Sequence, residues 1–288
     1  SLNQYRKLFN INLITITLNS IYALYQLIIL KSDRLGGTSF YMTFGGMLML
    51  LILVNYLFFL ESLSRKQYRY SIVYFCCLSL MSIALTFTLT RNTWIGVLLG
   101  SAMITLMYTK LRMKIILSLM LICAVLIAIN TFPSLRARAE SIVKLNDSSN
   151  QERIVMWKSG IKHLPDYFLT GIGINNVPRF FDRYCVPLIT RCHMHNNFLQ
   201  IILELGLMGL LAFGALFGCG YYRAHQLIKR RRERGWGILV ISACTAFLVA
   251  GLFEFNFGDT EVASIILVLL SRVARRLPDE SSGVNGNA

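Results

Sequence analysis

Five consecutive residues, His193-Met194-His195-Asn196-Asn197, put two imidazoles and two amides directly before an apolar run, Phe198 to Phe213. Imidazole changes charge near neutral pH and is the side chain most often used to take a proton from a reacting group. Asn196, Gln200 and Glu204 recur at i, i+4 and i+8, which places them on one helix face. Glu204 falls about two turns into the apolar run, where an ionised carboxylate is costly unless paired, so this face is expected to point inward. His195 would stand at or just before the helix N-terminus, whose partial positive charge disfavours imidazolium and attracts anions. A neutral imidazole beside an anion site suits general-base work on a hydroxyl.

Two arginines are the candidate anion ligands. Arg91 lies in Thr86-Phe87-Thr88-Leu89-Thr90-Arg91-Asn92-Thr93-Trp94, between two apolar runs with almost no loop. An ionisable group at membrane depth is usually functional and faces the bundle interior; a snorkelling anchor is the bland alternative. Arg153 follows Ser148-Ser149-Asn150 and Glu152, a polar helix start, and precedes Ile154, Trp157, Ile161 and Leu164, whose spacing predicts an amphipathic helix ending near Pro165. Arg153 and Trp157 share a face at i and i+4, and an arginine merely solvated at a helix start is the other reading. Guanidinium forks grip phosphate oxygens in pairs. Two arginines, one histidine and no obvious metal set point to transfer of a group from a phosphorylated, membrane-embedded donor. Glu254, Asp259 and Glu261 are the best candidates for a cation site, although an ordinary solvated loop is the preferred reading of them.

These residues need a membrane scaffold. The 288 residues are 55% hydrophobic, with repeated long apolar runs, which predicts an all-α polytopic membrane protein. Eight spans are expected near residues 8–30, 40–60, 70–90, 94–109, 115–132, 198–222, 236–253 and 261–274. This divides the chain into five transmembrane helices (1–132), a large loop with an amphipathic helix (133–197), three more helices (198–274) and a tail (275–288). With both termini inside, 17 Lys and Arg lie in inner segments, among them Arg6, Arg231, Arg232, Arg234, Arg272, Arg275 and Arg276, against Lys31, Arg34 and Arg91 in short outer ones. The net charge of +15 is therefore mostly a topology signal, and a nucleic-acid partner is disfavoured. The long loop carries nine Lys and Arg of its own, an excess that an anionic ligand would explain. The first residue is Ser and no signal-peptide pattern follows, so an internal cut is expected.

Within the loop, Thr170-Gly171-Ile172-Gly173-Ile174-Asn175-Asn176 is a poor phosphate loop, since no strand precedes it and no Lys-Ser/Thr follows; a tight re-entry toward the bundle is expected. Gly206, Gly209, Gly214 and Gly218 are expected to allow close helix packing, Gly214 and Gly218 at small-xxx-small spacing. Five cysteines lie in apolar runs. Cys185 and Cys192 lie in the loop, where a bridge or two free thiols are equally open readings.

His195-Asn196, then nine residues to Gly206, then Gly209 gives His-Asn-x9-Gly-x-x-Gly, and Leu89 to Trp94, Glu152-Arg153 with Met156-Trp157, Pro165 and Gly171-Ile172-Gly173 follow a matching order. In these motifs the chain resembles the O-antigen ligase and polymerase superfamily, and looks most like O-antigen ligases. The resemblance implies a GT-C-like membrane-embedded, metal-independent, inverting glycosyltransferase without cofactor, in the bacterial inner membrane with its active site on the periplasmic side. It implies an undecaprenyl-diphosphate-linked O-antigen donor, a lipid A-core acceptor and about twelve spans in the full protein. It further implies that Arg91 and Arg153 hold the donor diphosphate and that His195 activates the acceptor hydroxyl, with His193, Asn196, Gln200, Glu204 and Trp157 in support. Asn92 stands where the family commonly has a small residue. An O-antigen polymerase is the nearest alternative, and a lipid-linked sugar transporter the alternative of another class.

Overall fold

The computed structural model describes residues 2–32, 34–141, 148–184, 186, 193–230 and 233–274. The regular structure among them is helical: α1 (Leu2–Ile28), α2 (Tyr41–Ser64), α3 (Tyr68–Phe87), α4 (Arg91–Tyr108), α5 (Leu111–Thr131), α6 (Pro133–Glu140), α7 (Ser148–Tyr167), α8 (Val177–Arg183), α9 (Asn197–Lys229), α10 (Arg234–Ala250) and α11 (Thr260–Ala274). The eight apolar runs correspond to α1–α5 and α9–α11. Among the described residues, four of these, α1 from Asn3, α2, α3 and α9, are long and apolar enough to cross a membrane, while α10 is apolar but has 17 residues. A bilayer core of about 30 Å asks for about 20 residues. Cys185 and Cys192 lie outside the described residues, as do Arg231, Arg232, Arg275, Arg276 and the tail 275–288.

Helix α2 is the axis of the bundle because it is apolar around its whole circumference, and such a helix is stable only when covered on every side. Phe44, Leu48, Met49, Leu53 and Leu57 are all fully buried. Helices α1, α3, α4, α10 and α11 pack on it, and α9 closes against α10 and α11. Ion pairs collect at one end, where Arg6 meets Glu61 at 3.0 Å and Arg272 meets Glu233 at 3.1 Å. Arg234 joins them there by donating to the Met107 carbonyl at 2.8 Å. The residues singled out for chemistry lie at the opposite end, where α4 and α9 begin.

Two short helices, α6 and α8, were not anticipated; each starts with Pro in its first turn, where the missing N–H costs nothing. Helix α7 runs two residues past Pro165, which lies inside it. Met156, Val177, Phe180, Phe181, Val186, Met194 and Leu203 form a second, smaller core that seats α7 and α8 on the start of α9.

The glycines of α9 do not act as their spacing suggested. A Cβ on Gly214 or Gly218 would meet open space, so this pair packs no helix among the described residues. The close approach is made by Gly237 of α10 instead, where an added Cβ would sit 2.5 Å from the Ala224 carbonyl oxygen of α9. Backbone cannot yield as a flexible side chain can. Gly237→Ala is therefore expected to lower the thermal unfolding temperature of the detergent-solubilised chain by the equivalent of about 1–3 kcal/mol. Gly214→Ala should leave it unchanged or raise it slightly, as alanine is the better helix former.

Candidate functional site

The His193–Asn197 segment is held from three directions. Met194, fully buried, plugs the smaller core and reaches Gly160 of α7, so the imidazoles on either side of it are turned out of that core. The Trp157 indole donates to the Met194 carbonyl at 2.8 Å, and the Met194 N–H donates to Gln200 Oε1 at 2.7 Å. Asn196 caps α9, its Oδ1 accepting the Leu199 N–H at 2.9 Å while its Nδ2 donates to the Leu252 carbonyl at 2.9 Å. Asn197 donates its backbone N–H to the Gly251 carbonyl at 2.7 Å and its Nδ2 to Asn256 Oδ1 at 2.6 Å, and its Oδ1 accepts the Phe257 N–H at 3.1 Å. The amides thus fasten the start of α9 to the 251–257 connection.

That connection carries Glu254, the residue on which the site converges. Glu254 is 4% exposed. His195 Nδ1 lies 2.9 and 3.1 Å from its two oxygens, His193 Nε2 lies 3.7 Å from Oε1, and Arg153 Nη2 lies 3.5 Å from Oε2. Burial alone would raise the Glu254 pKa, but the His195 hydrogen bond and the positive charge of its neighbours outweigh it and hold the carboxyl below its usual range. For His193 burial dominates and pushes the pKa down to about 4, against the opposing pull of Glu254. His193 is therefore neutral at neutral pH, and its Nδ1 accepts the His195 backbone N–H at 3.2 Å. An ionised carboxylate only accepts hydrogen bonds, so the proton of neutral His195 sits on Nδ1 and the lone pair on Nε2. His195 has φ +47°, a left-handed conformation uncommon outside glycine, which the surrounding fastenings impose.

Arg91 opens α4 and is buried. It points inward, which sets aside the snorkelling reading. Its guanidinium donates to the Ser141 carbonyl at 2.7 Å, to Ser141 Oγ at 3.0 Å and to Asn150 Oδ1 at 2.9 Å, tying α4 to the end of α6 and the first turn of α7. A cavity of about 120 Å³ is lined by Arg91, Arg138 and Arg153 together with Tyr41, Leu89 and Phe253. Arg138 of α6 donates to the Leu89 carbonyl at 3.0 Å, and Leu89 itself is left-handed at φ +55°. Three arginines around one cavity favour an anionic occupant. Arg153 belongs both to this wall and to the Glu254 cluster, and so joins the two.

Gln200 and Glu204 face inward as their spacing predicts, with 2% and 6% exposure, but they serve as supports. Gln200 braces Met194, and Glu204 Oε1 accepts the Asn175 N–H at 2.9 Å. The acids near α11 separate rather than gather. Glu254 belongs to the histidines. Asp259 is hydrogen-bonded to Thr43 and held up to about 6, first by burial and then by the Glu254 charge, while Glu261 pairs with Thr260 at 3.1 Å. The donor atoms of His193, His195 and Glu254 lie within 4.8 Å of one another, close enough for a metal ion. The Arg153 guanidinium on the same carboxylate opposes a divalent cation there, which fits an ion-paired base better than a metal centre. Sequence reasoning missed Glu254 and Arg138 as members of the site. The one available signal for Glu254 was its place among three acids beside an apolar helix.

Residues 76–214 match the family model described as O-Antigen ligase, a stretch that contains Arg91, Arg138, Arg153, His193 and His195 but ends before Glu254. No curated protein matches the chain. The matched stretch, 139 of the 288 residues, is thus similar to O-antigen ligase domains, and the helices long and apolar enough to cross a membrane agree with a multi-pass membrane protein.

Proposed function

We propose that the chain is the catalytic part of an O-antigen ligase. It transfers O-antigen polysaccharide from undecaprenyl diphosphate to the lipid A-core oligosaccharide at the periplasmic face of the bacterial inner membrane. The supporting observation is the junction, through Arg153, of an arginine-lined cavity with an imidazole held by a buried carboxylate. In this reading Arg91 and Arg153 grip the donor diphosphate, with Arg138 on the same wall. His195 Nε2 takes the proton of the acceptor hydroxyl as that oxygen attacks the anomeric carbon. The bond from that carbon to the phosphate oxygen breaks on the opposite face, and undecaprenyl diphosphate leaves with the bonding electrons, so the anomeric centre inverts. The guanidinium charges stabilise the leaving group, and Glu254 orients His195 and steadies the charge it acquires. His193 is a neutral hydrogen-bonding group on the acceptor side. No metal takes part in the step. The excess of basic residues in the inner segments favours the orientation with this end outside.

Full-length protein incubated with lipid-linked O-antigen, with and without lipid A core, tests the reaction: glycan on the core is the expected product, whereas longer lipid-linked chains alone would assign a polymerase. His195→Ala should lower kcat by about 10²- to 10⁴-fold while donor binding persists, and normal transfer by this variant would sink the base assignment. Glu254→Gln should lower kcat, through His195, and should raise donor KM by less than Arg153→Ala does, since the guanidinium stays but loses its anchor. Arg91→Ala and Arg153→Ala should each weaken donor binding by roughly 10-fold or more, read by titration with lipid diphosphate; unchanged affinity in both would remove the diphosphate clamp. Transfer should survive EDTA, and its loss with rescue by a divalent cation would overturn the metal-free step.

A further inference from the structure

The stretch from Phe168 to Asn176 has no task in the proposed transfer, yet it is bonded closely to α9. Ile172 donates its N–H to the Leu203 carbonyl at 2.8 Å and Gly173 to the Glu204 carbonyl at 3.0 Å, while Leu207 of α9 donates back to the Phe168 carbonyl at 2.7 Å. Asn175 adds its bond to the Glu204 side chain, and Gly171 donates to the Tyr167 carbonyl at 2.8 Å. The contact is possible because Gly171 and Gly206 adopt φ +71° and +65°; a Cβ on Gly171 would strike the Glu204 carbonyl, and one on Gly206 the Leu169 carbonyl. Gly206 thereby breaks the regular course of α9 at the level where the loop docks.

That level lies roughly 10 Å along a helix apolar enough to cross a membrane. Most of the side chains turned outward there are apolar: Leu169 is 69% exposed, Ile174 66% and Phe168 40%, and α9 adds Met208 at 71% and Leu205 at 42%, beside the uncharged polar Thr170 and Asn175. No charged residue interrupts the sequence from Phe168 to Asn176. Non-helical backbone is tolerated at membrane depth only where protein satisfies its polar groups, and here the amides of 171, 172, 173 and 175 are all paired. We propose that residues 168–174 form a re-entrant wedge immersed in the acyl chains of the leaflet on the site's side, continuous with the exposed apolar surface of α9. The wedge moors the C-terminal end of α7 while the Asn150–Arg91 bond moors its start, so the depth of Arg153 relative to the bilayer is set from both ends.

The test places Leu169→Trp and Ile174→Trp separately in the full chain in lipid nanodiscs and reads the emission difference from the parent with its three tryptophans. Lys158→Trp, on the exposed side of α7, is the water-facing reference. The expected result is blue-shifted emission at 169 and 174, quenched several-fold more by brominated phosphatidylcholine than by iodide, with the reverse order at 158. Iodide quenching at 169 and 174 equal to the reference would overturn the wedge, and so would protection from both quenchers, which would mean cover by a second copy. In the unaltered chain, phosphatidylcholine with a diazirine in its tail should cross-link to residues 168–174. Labelling of α9 without labelling of that stretch would also overturn the proposal.

Discussion

A carboxylate almost wholly removed from water persists as a charge only where cations and hydrogen-bond donors replace the lost solvation. Glu254 meets that condition by drawing three elements together: the His193–His195 segment before α9, Arg153 from α7 and its own connection between α10 and α11. Removing any one partner would leave the charge under-compensated. The constraint runs in both directions, because the same carboxylate fixes the proton of His195 on Nδ1 and keeps the Arg153 side chain at the cavity wall. Geometry and protonation at this end of the bundle therefore have one cause.

The helices were legible in the sequence because their signal is local. Eight apolar runs became eight helices, and the inward-facing stripe of Asn196, Gln200 and Glu204 is buried as its period requires. His195, Arg91 and Arg153 were singled out by type and context, and the structure places them at one end of the bundle. What the stripe does was not legible. Glu204 binds a backbone amide of a loop, and Gln200 braces Met194, partners that no spacing reveals. Glu254 was read within a loop of three acids, since its partners come from far along the chain and its burial depends on the packing of several helices. Arg138 was hidden for a similar reason, lying on a helix of about two turns that it bonds to the Leu89 carbonyl.

The glycines show the same limit. Small-xxx-small spacing at Gly214 and Gly218 states that a helix can be approached closely, and says nothing of whether a neighbour is there. Gly206 looked like a packing residue and is a backbone device, adopting a conformation that lets a loop dock against a helix. Arg91 combines two readings: it faces the interior as a functional group would, and it also joins the ends of three helices.

The fastening of α9 to the 251–257 connection by Asn196 and Asn197 has a mechanical meaning. His195 and Glu254 are 59 residues apart in sequence but ride on one hydrogen-bonded corner, so thermal motion carries them together. Arg153 rides on α7, which is tied to the same corner by the Trp157–Met194 bond and by the small core that Met194 fills. Imidazole, carboxylate and arginine are therefore mechanically coupled, so a tilt of α7 carries the guanidinium and the imidazole together.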